Sequence, residues 1–164
     1  MTDNPHVVGI KHMAFAVRDV AQALDRHARL LCVPAATRIV DQNKARNRVA
    51  IFTIGGIEYQ LCQSMDPGGR FDAWIAARGG EGLHHVCYAV TDIARALEHA
   101  VANGARLAGC VACGGVIGAH AHSEGYVAFL EEEAAGVGIE YMQIYTEEEL
   151  RQRQLAAQQS AASG

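Results

Sequence analysis

The chain has few lysines, a net negative charge and no long apolar run, and these features narrow the range of functions. Of its 164 residues only two are lysines, Lys11 and Lys44, and the formal net charge is −4. Proteins that bind nucleic acid usually carry a basic patch or stripe, so we predict no nucleic-acid partner. No apolar stretch approaches the ~18 residues of a membrane-spanning helix, and no charged-then-apolar leader precedes the first predicted strand. We therefore expect a cytoplasmic protein with no membrane partner.

Cysteines are few and odd in number, which argues against a disulfide framework. Cys62 and Cys87 sit inside apolar strand patterns, so we predict reduced thiols, three of them buried like small hydrophobic residues. Cys110 and Cys113 have C-x-x-C spacing, which is found in zinc sites and redox pairs. A structural zinc site usually needs a second pair, and the remaining cysteines belong to other predicted elements. The spacing alone is therefore a weak signal.

An internal repeat dominates what the sequence does contain. His12–Leu24 is echoed by His85–Leu97 at a constant offset of 73 residues. Each copy also ends in a related run, Gly55–Leu61 in the first and Gly136–Met142 in the second. A repeat of this length indicates two structural units of about half the chain each.

Within each copy the hydrophobic pattern predicts the order βαβββ. One such unit alone would leave an apolar sheet face uncovered, whereas two side by side can cover each other. We predict an α+β fold of two tandem βαβββ modules that form a cupped, partly closed mixed sheet with helices outside. The predicted segments are a first module over 7–64, a connector with a short helix over 65–81, a second module over 82–146, and a C-terminal helix with a frayed tail over 147–164.

Matched polar residues open and close the two copies. His12 and His85 stand early in matched strands, and Gln60 and Glu140 stand in the last strand of each copy. Because side chains alternate between the faces of a strand, one residue from each of four strands can point to the same side. Two imidazoles, an amide and a carboxylate suit one divalent metal ion, with Co, Mn, Zn, Ni and Fe(II) all compatible.

Two of these positions have rivals. Literal matching of Ile57–Tyr59 with Ile139–Tyr141 nominates Glu58, whereas counting from the hairpin glycine nominates Gln60; both residues face the same side of one strand. His84 is the rival of His85. The constant offset selects His85, and we expect His84 to point to the opposite face.

The repeated segments that carry these residues resemble the vicinal oxygen chelate superfamily and, within it, the methylmalonyl-CoA epimerases. The resemblance covers about residues 8–146 and implies that His12, Gln60, His85 and Glu140 are the metal ligands. It is carried by four segments: Ile10–Val17, Gly82–Asp92, Val127–Leu130 and Gly136–Glu140.

The resemblance implies an epimerase or isomerase that removes a proton α to a carbonyl through a metal-stabilised enolate. Glu140 is the candidate for one proton carrier. His120 and His122 are the catalytic candidates for the second, with Glu124 in the same loop, because an imidazole titrates near neutral pH. The expected substrate is a small molecule with adjacent oxygens, such as an acyl-CoA thioester. Proteins built from such module pairs often dimerise, so we expect a homodimer.

Two departures from the epimerase pattern keep alternatives open. Glu131–Glu133 replaces a His-Pro-Lys-like segment, and no residue matches the glutamate base that some epimerases carry in the first module. The alternatives are a glyoxalase-type lyase like lactoylglutathione lyase, an Fe(II) extradiol-type dioxygenase that uses two histidines and a carboxylate, and a metal-free protein that binds a small molecule.

Overall fold

Ten strands and four α-helices build the fold in the computed structural model, which describes residues 6–34 and 37–162. The strands are β1 Val7–Ala16, β2 Ile39–Gln42, β3 Asn47–Ile54, β4 Ile57–Ser64, β5 Gly82–Val90, β6 Leu107–Cys110, β7 Val116–Ile117, β8 His120–Ala121, β9 Gly125–Ala134 and β10 Val137–Ile144. The helices are α1 Val20–Leu31, α2 Arg70–Arg78, α3 Ile93–Ala102 and α4 Glu147–Ala162.

The strands form one open mixed sheet, and the two modules meet at its centre. The strand order is β2-β3-β4-β1-β5-β10-β9-β6-β7, with β8 paired to β9. β1 and β5 run antiparallel to each other, and each runs parallel to the last strand of its own module, β4 or β10. The predicted α+β fold of two tandem βαβββ modules is confirmed. The first strands of both modules, which carry His12 and His85, are therefore direct neighbours.

Helices cover both faces of the sheet. α1 packs on the face that includes Leu61, and α3 packs on the corresponding face of the second module, which includes Ala128. α2 lies on the opposite face, where Phe71 packs against Ala14 and Cys62. We call this opposite face the site face, because His12 lies on the same side of β1 as Ala14, which α2 covers. The connecting helix thus covers one end of the site face.

The segment after β6 contains more structure than the sequence indicates. It was predicted as a loop, but it forms a 3₁₀ turn over Val111–Cys113 and the short strands β7 and β8. Strands of two residues are too short for an alternating pattern to reveal them.

The last helix begins as predicted. The Thr146 hydroxyl accepts the N–H of Glu149, and the Glu149 carboxylate accepts the N–H of Thr146, which is a capping box. α4 continues to Ala162, and residues 163–164 of the predicted tail lie outside the described residues. Within the described ranges, no helix is both long and apolar enough to cross a membrane.

Candidate metal centre

Three donor atoms from the predicted ligand residues converge at the junction of the two modules. His12 Nε2 lies 3.3 Å from His85 Nε2, and each of these nitrogens lies 3.2 Å from Glu140 Oε2. His12 and Glu140 are each only 5% exposed. We call these three residues the central cluster. A carboxylate oxygen between two imidazole nitrogens in a buried position is an arrangement that a cation would stabilise.

The central cluster fits a divalent metal ion. Ligand atoms bound at about 2.0–2.2 Å from one ion stand roughly 3.0–3.5 Å apart at the angles of octahedral and tetrahedral sites. The three separations in the central cluster fall within that range. Two imidazoles and a carboxylate also form a donor set that first-row transition metals accept. The residues present are therefore compatible with the predicted metal.

The register of the sheet relates the two modules residue by residue. Glu58, His12, Cys87 and Glu140 form one row across β4, β1, β5 and β10, and Gln60, Ala14, His85 and Gly138 form the next row. Exchanging the two modules maps the first row onto the second. In this exchange Glu140 corresponds to Gln60, and Glu58 corresponds to Gly138. The register therefore makes Gln60 the structural counterpart of Glu140, in agreement with counting from the hairpin glycine.

The Glu140 carboxylate is held in its charged form. Burial raises the pKa of this group, but the hydrogen bonds and charges of His12 and His85 outweigh burial and hold the pKa at about 2. An ionised carboxylate at neutral pH is the form that coordinates a metal or accepts a proton.

Glu58, which the sequence named only as the rival of Gln60, is an outer partner of the central cluster. Its Oε1 lies 4.0 Å from His12 Nδ1 and accepts a hydrogen bond of 2.8 Å from Gln60 Nε2. The Lys11 ammonium lies 3.5 Å from Glu58 Oε2. Lys11 reaches this side because the register of β1 against β5 shifts between Ile10 and His12. A carboxylate behind a histidine can orient the ring for metal binding.

His84 does not point to the opposite face, so that expectation is wrong. Its ring packs on the site face against Phe71 and Trp74, with centroid distances of 5.1 and 5.4 Å. The cause is a bulge: Ala14 pairs with His85 and Phe15 pairs with Leu83, which leaves His84 as an extra residue.

The bulge brings the two adjacent histidines together. His84 Nδ1 lies 2.8 Å from His85 Nδ1. Burial, together with the charges of His85, Arg70 and Arg78, lowers the pKa of His84 to about 3, so its ring is neutral at physiological pH. A neutral His84 can accept a hydrogen bond from His85 Nδ1–H, which would leave the lone pair of His85 Nε2 free to bind a metal.

Cys87 is a buried neighbour of the central cluster. It is fully buried, and its Sγ belongs with donor atoms of His12 and Glu140 to a group within 4.8 Å of one another. Burial and the charge of Glu140 raise the pKa of this thiol far above its usual range, so it is protonated. The sequence offers one signal for Cys87: the constant offset of the repeat pairs it with Ala14, which is the direct neighbour of His85 in the sheet. The thiols are free, as predicted, and three of them are buried, namely Cys62, Cys87 and Cys110.

The loop candidates for acid–base chemistry take different positions. Glu124 lies 2.9 Å from the Lys11 ammonium and thus reaches the surroundings of Glu58. His120 Nδ1 bonds to the Gly118 carbonyl oxygen at 2.8 Å, and its ring lies 6.4 Å from the ring of His122. Of the three, Glu124 is the one that an ion pair links to the region of the central cluster.

Arg70 is a cation near the site face that sequence reasoning missed. Desolvation lowers the pKa of its guanidinium, and the charges of Cys62, Cys110 and Glu140 partly offset this effect. The Arg70 side chain is exposed at the first turn of α2, so an anion can reach it.

One cavity of the surface lies apart from the central cluster. A cavity of about 470 Å³ lies beside α1, with Arg18, Gln22, Arg26 and Glu81 among its lining residues. It contains none of the three residues of the central cluster. The site is therefore identified by its donor atoms and their burial.

The fold and the site together define a class of protein: paired βαβββ modules with a polar site at their junction. Residues 11–129 match the family described as the Glyoxalase/Bleomycin resistance protein/Dioxygenase superfamily. The chain belongs to this superfamily. No protein among the curated sequences matches it.

Solved structures agree with this assignment at the level of the fold. Methylmalonyl-CoA epimerase from Mycobacterium tuberculosis is 19% identical, with a TM-score of 0.70, over 91% of this chain and 96% of that one. A hypothetical protein from Bacillus halodurans is 22% identical, with a TM-score of 0.65, over 84% and 95%. A variant of Streptomyces coelicolor methylmalonyl-CoA epimerase in complex with 2-nitronate-propionyl-CoA is 17% identical, with a TM-score of 0.63, over 85% and 99%.

Proposed function

We propose that this protein is a metal-dependent epimerase or isomerase that moves a proton α to a carbonyl, as methylmalonyl-CoA epimerases do. The observation that carries the proposal is the convergence of His12 Nε2, His85 Nε2 and Glu140 Oε2 within 3.3 Å of one another. Together with Gln60, these residues would hold one divalent ion. The ion would act as a Lewis acid on a substrate carbonyl and make the neighbouring C–H more acidic.

An epimerase needs two proton carriers, one on each side of the reacting carbon. Glu140 is one, because its carboxylate is ionised and borders the position that the ligands surround. We assign the second role to Glu58, which lies on the other side of His12 and in the same row of the sheet. His120 and His122, the candidates from the sequence, are the alternatives that the experiment compares with Glu58.

The surroundings favour an anionic substrate such as a 2-substituted malonyl thioester. Arg70 is an exposed cation whose guanidinium senses the charge of Glu140, so it is suited to receive a substrate carboxylate. The acidic run that departs from the epimerase pattern is compensated by arginines. Arg106 pairs with Glu131 and Glu132, which reduces the repulsion that coenzyme A phosphates would meet there.

Proton exchange in deuterated buffer tests the proposal. Untagged protein loaded with Co²⁺ or Mn²⁺ should exchange the α-proton of methylmalonyl-CoA and interconvert its epimers. His85→Ala should lose both reactions, and His99→Ala, which changes an exposed histidine on α3, should retain both. Absence of exchange by the metal-loaded wild type would refute the proposal.

The pattern of partial loss identifies the two proton carriers. Glu58→Gln and Glu140→Gln should each stop epimerisation, while the remaining carboxylate still exchanges the proton of one epimer. If Glu58→Gln is fully active and His122→Ala or His120→Ala is not, the second carrier is in the loop and not at Glu58.

A second candidate function rests on the composition of the central cluster. Two histidines and one carboxylate form the ligand set of many Fe(II) oxygenases. Oxygen consumption by the Fe(II)-loaded protein with a catechol, lost in His85→Ala, would favour this function. A protein without oxygen consumption but with proton exchange would exclude it.

A further inference from the structure

A second group of metal-ligating side chains lies on β6, the turn after it and β8, and it shares no residue with the central cluster. The ligand atoms of Cys110, Cys113 and His120 all lie within 4.8 Å of one another. Cys110 is 2% exposed, and the other two residues are half-buried. The sequence showed only the C-x-x-C pair, because His120 is brought to it by the fold.

The local backbone explains how the two cysteines come together. β6 ends at Cys110, and a 3₁₀ turn over Val111–Cys113 follows at once. In a 3₁₀ turn, residues three apart stand on the same side. The chain then folds back, so that Gly109 pairs with Ile117 and lies against the Gly115 carbonyl, where a Cβ would come within 3.0 Å of the oxygen.

His120 is oriented as a metal ligand requires. Its Nδ1 bonds to the Gly118 carbonyl oxygen at 2.8 Å, so Nδ1 carries the proton and Nε2 has the free lone pair. Nε2 is buried, yet no hydrogen-bond partner contacts it. A buried polar atom without a partner is costly. A backbone carbonyl that fixes the other ring nitrogen is the usual support of a ligating histidine.

We propose that Cys110, Cys113 and His120 bind a thiophilic divalent ion, Zn²⁺ in the cell, as a second metal site separate from the central cluster. Two thiolates and one imidazole select Zn²⁺ over the harder ions, and solvent would fill the fourth position. The ion would join β6, the 3₁₀ turn and β8, and so stabilise the sheet edge formed by β6 and β7. Binding displaces the thiol protons to buffer, and therefore weakens as the pH falls.

A Co²⁺ titration tests the site, because thiolate ligands give Co²⁺ a near-ultraviolet charge-transfer band that oxygen and nitrogen ligands do not give. Untagged full-length protein is stripped with chelator, kept reduced without oxygen, and titrated. We expect the band to grow until this site holds one equivalent of Co²⁺, and to disappear when Zn²⁺ is added. Total binding should reach two equivalents when the central cluster is also occupied.

Variants separate this site from the other cysteines and from the central cluster. Cys113→Ser and His120→Gln should each reduce total binding from two equivalents to one. Cys113→Ser should abolish or greatly weaken the charge-transfer band. His120→Gln should weaken the binding of Co²⁺ to this second site at least tenfold. Cys32→Ser, an exposed cysteine, and Cys87→Ala should keep the band. His85→Ala should keep the band while it loses the other equivalent. This last result shows the second site even if the proposed epimerase function fails.

Several outcomes would overturn the proposal. These are a reduced wild type without the band, a band that survives Cys113→Ser, a band lost in Cys87→Ala, and unchanged binding in His120→Gln. Circular dichroism checks that each variant is folded. If Cys113→Ser does not fold, His120→Gln decides, because it preserves the turn that carries both cysteines.

Discussion

Removing the hydroxyl of Ser64 should destabilise α2 and with it the covered end of the site face. Ser64 Oγ accepts the N–H groups of Phe71 and Asp72 at 3.1 and 3.2 Å. The cap residue Gly69 offers no side-chain acceptor, so a serine from β4 takes that role. Ser64 is 7% exposed, which limits replacement of the lost acceptor by water.

The size of the effect follows from the groups left without partners. Loss of a helix cap costs about 1 kcal/mol, and a buried N–H without an acceptor costs about 1 kcal/mol more. We therefore expect Ser64→Ala to lower the free energy of unfolding by about 2 kcal/mol. For a chain of 164 residues this corresponds to a fall in Tm of roughly 6 °C.

Urea and thermal unfolding of chelator-treated protein, followed by circular dichroism, measure this difference. Ser123→Ala is the matched control, because Ser123 is exposed in the turn before β9 and should change stability by less than ~0.5 kcal/mol. If Ser64→Ala is as stable as this control, the hydroxyl does not cap α2 and the reasoning fails.

Three further predictions concern packing and titration. Phe71→Ala should lower the free energy of unfolding by about 3–5 kcal/mol in urea, since Phe71 is fully buried; a loss below ~1 kcal/mol would contradict its place in the core. Gly125→Ala should lower Tm strongly, because a Cβ there would lie 2.3 Å from the Gln143 carbonyl oxygen, whereas Gly9→Ala, with no atom within 4 Å, should not. The folded protein lowers the pKa of His84 to about 3, so as the pH falls below the ordinary value of 6.5, His84 takes up a proton in the unfolded chain before it does so in the folded protein. The contribution of this pKa difference to the free energy of unfolding is fully present above about pH 6.5 and is lost as the pH falls towards 3. Between pH 7 and 4.5 the wild type should lose about 2 kcal/mol more than His84→Gln, and equal losses in urea unfolding would refute the assignment.

Much of the candidate site could be predicted because the repeat carries positional information. The offset that relates His12 to His85 relates whole strands, and the first strands of the two copies become neighbours once the modules pair. The parity of a strand then fixes which residues share a face, so Gln60 and Glu140 could be placed on the side of the histidines.

Bulges could not be predicted in the same way. Parity holds only while each residue pairs with one partner, and an extra residue reverses the side on which its neighbours lie. His84 and Lys11 stand at such irregularities, so both turn towards the site although alternation places them on the other face.

The sequence by itself determined the two-module fold, the four candidate ligands and the start of the last helix, because these depend on periodicity and on residues close together in the chain. Only the tertiary structure decided which side chains surround those ligands. Glu58, Arg70 and Cys87 come from separate elements, and His120 meets Cys110 across strands that pair through β9. Contacts between residues distant in sequence depend on strand order and register, and no local pattern encodes these.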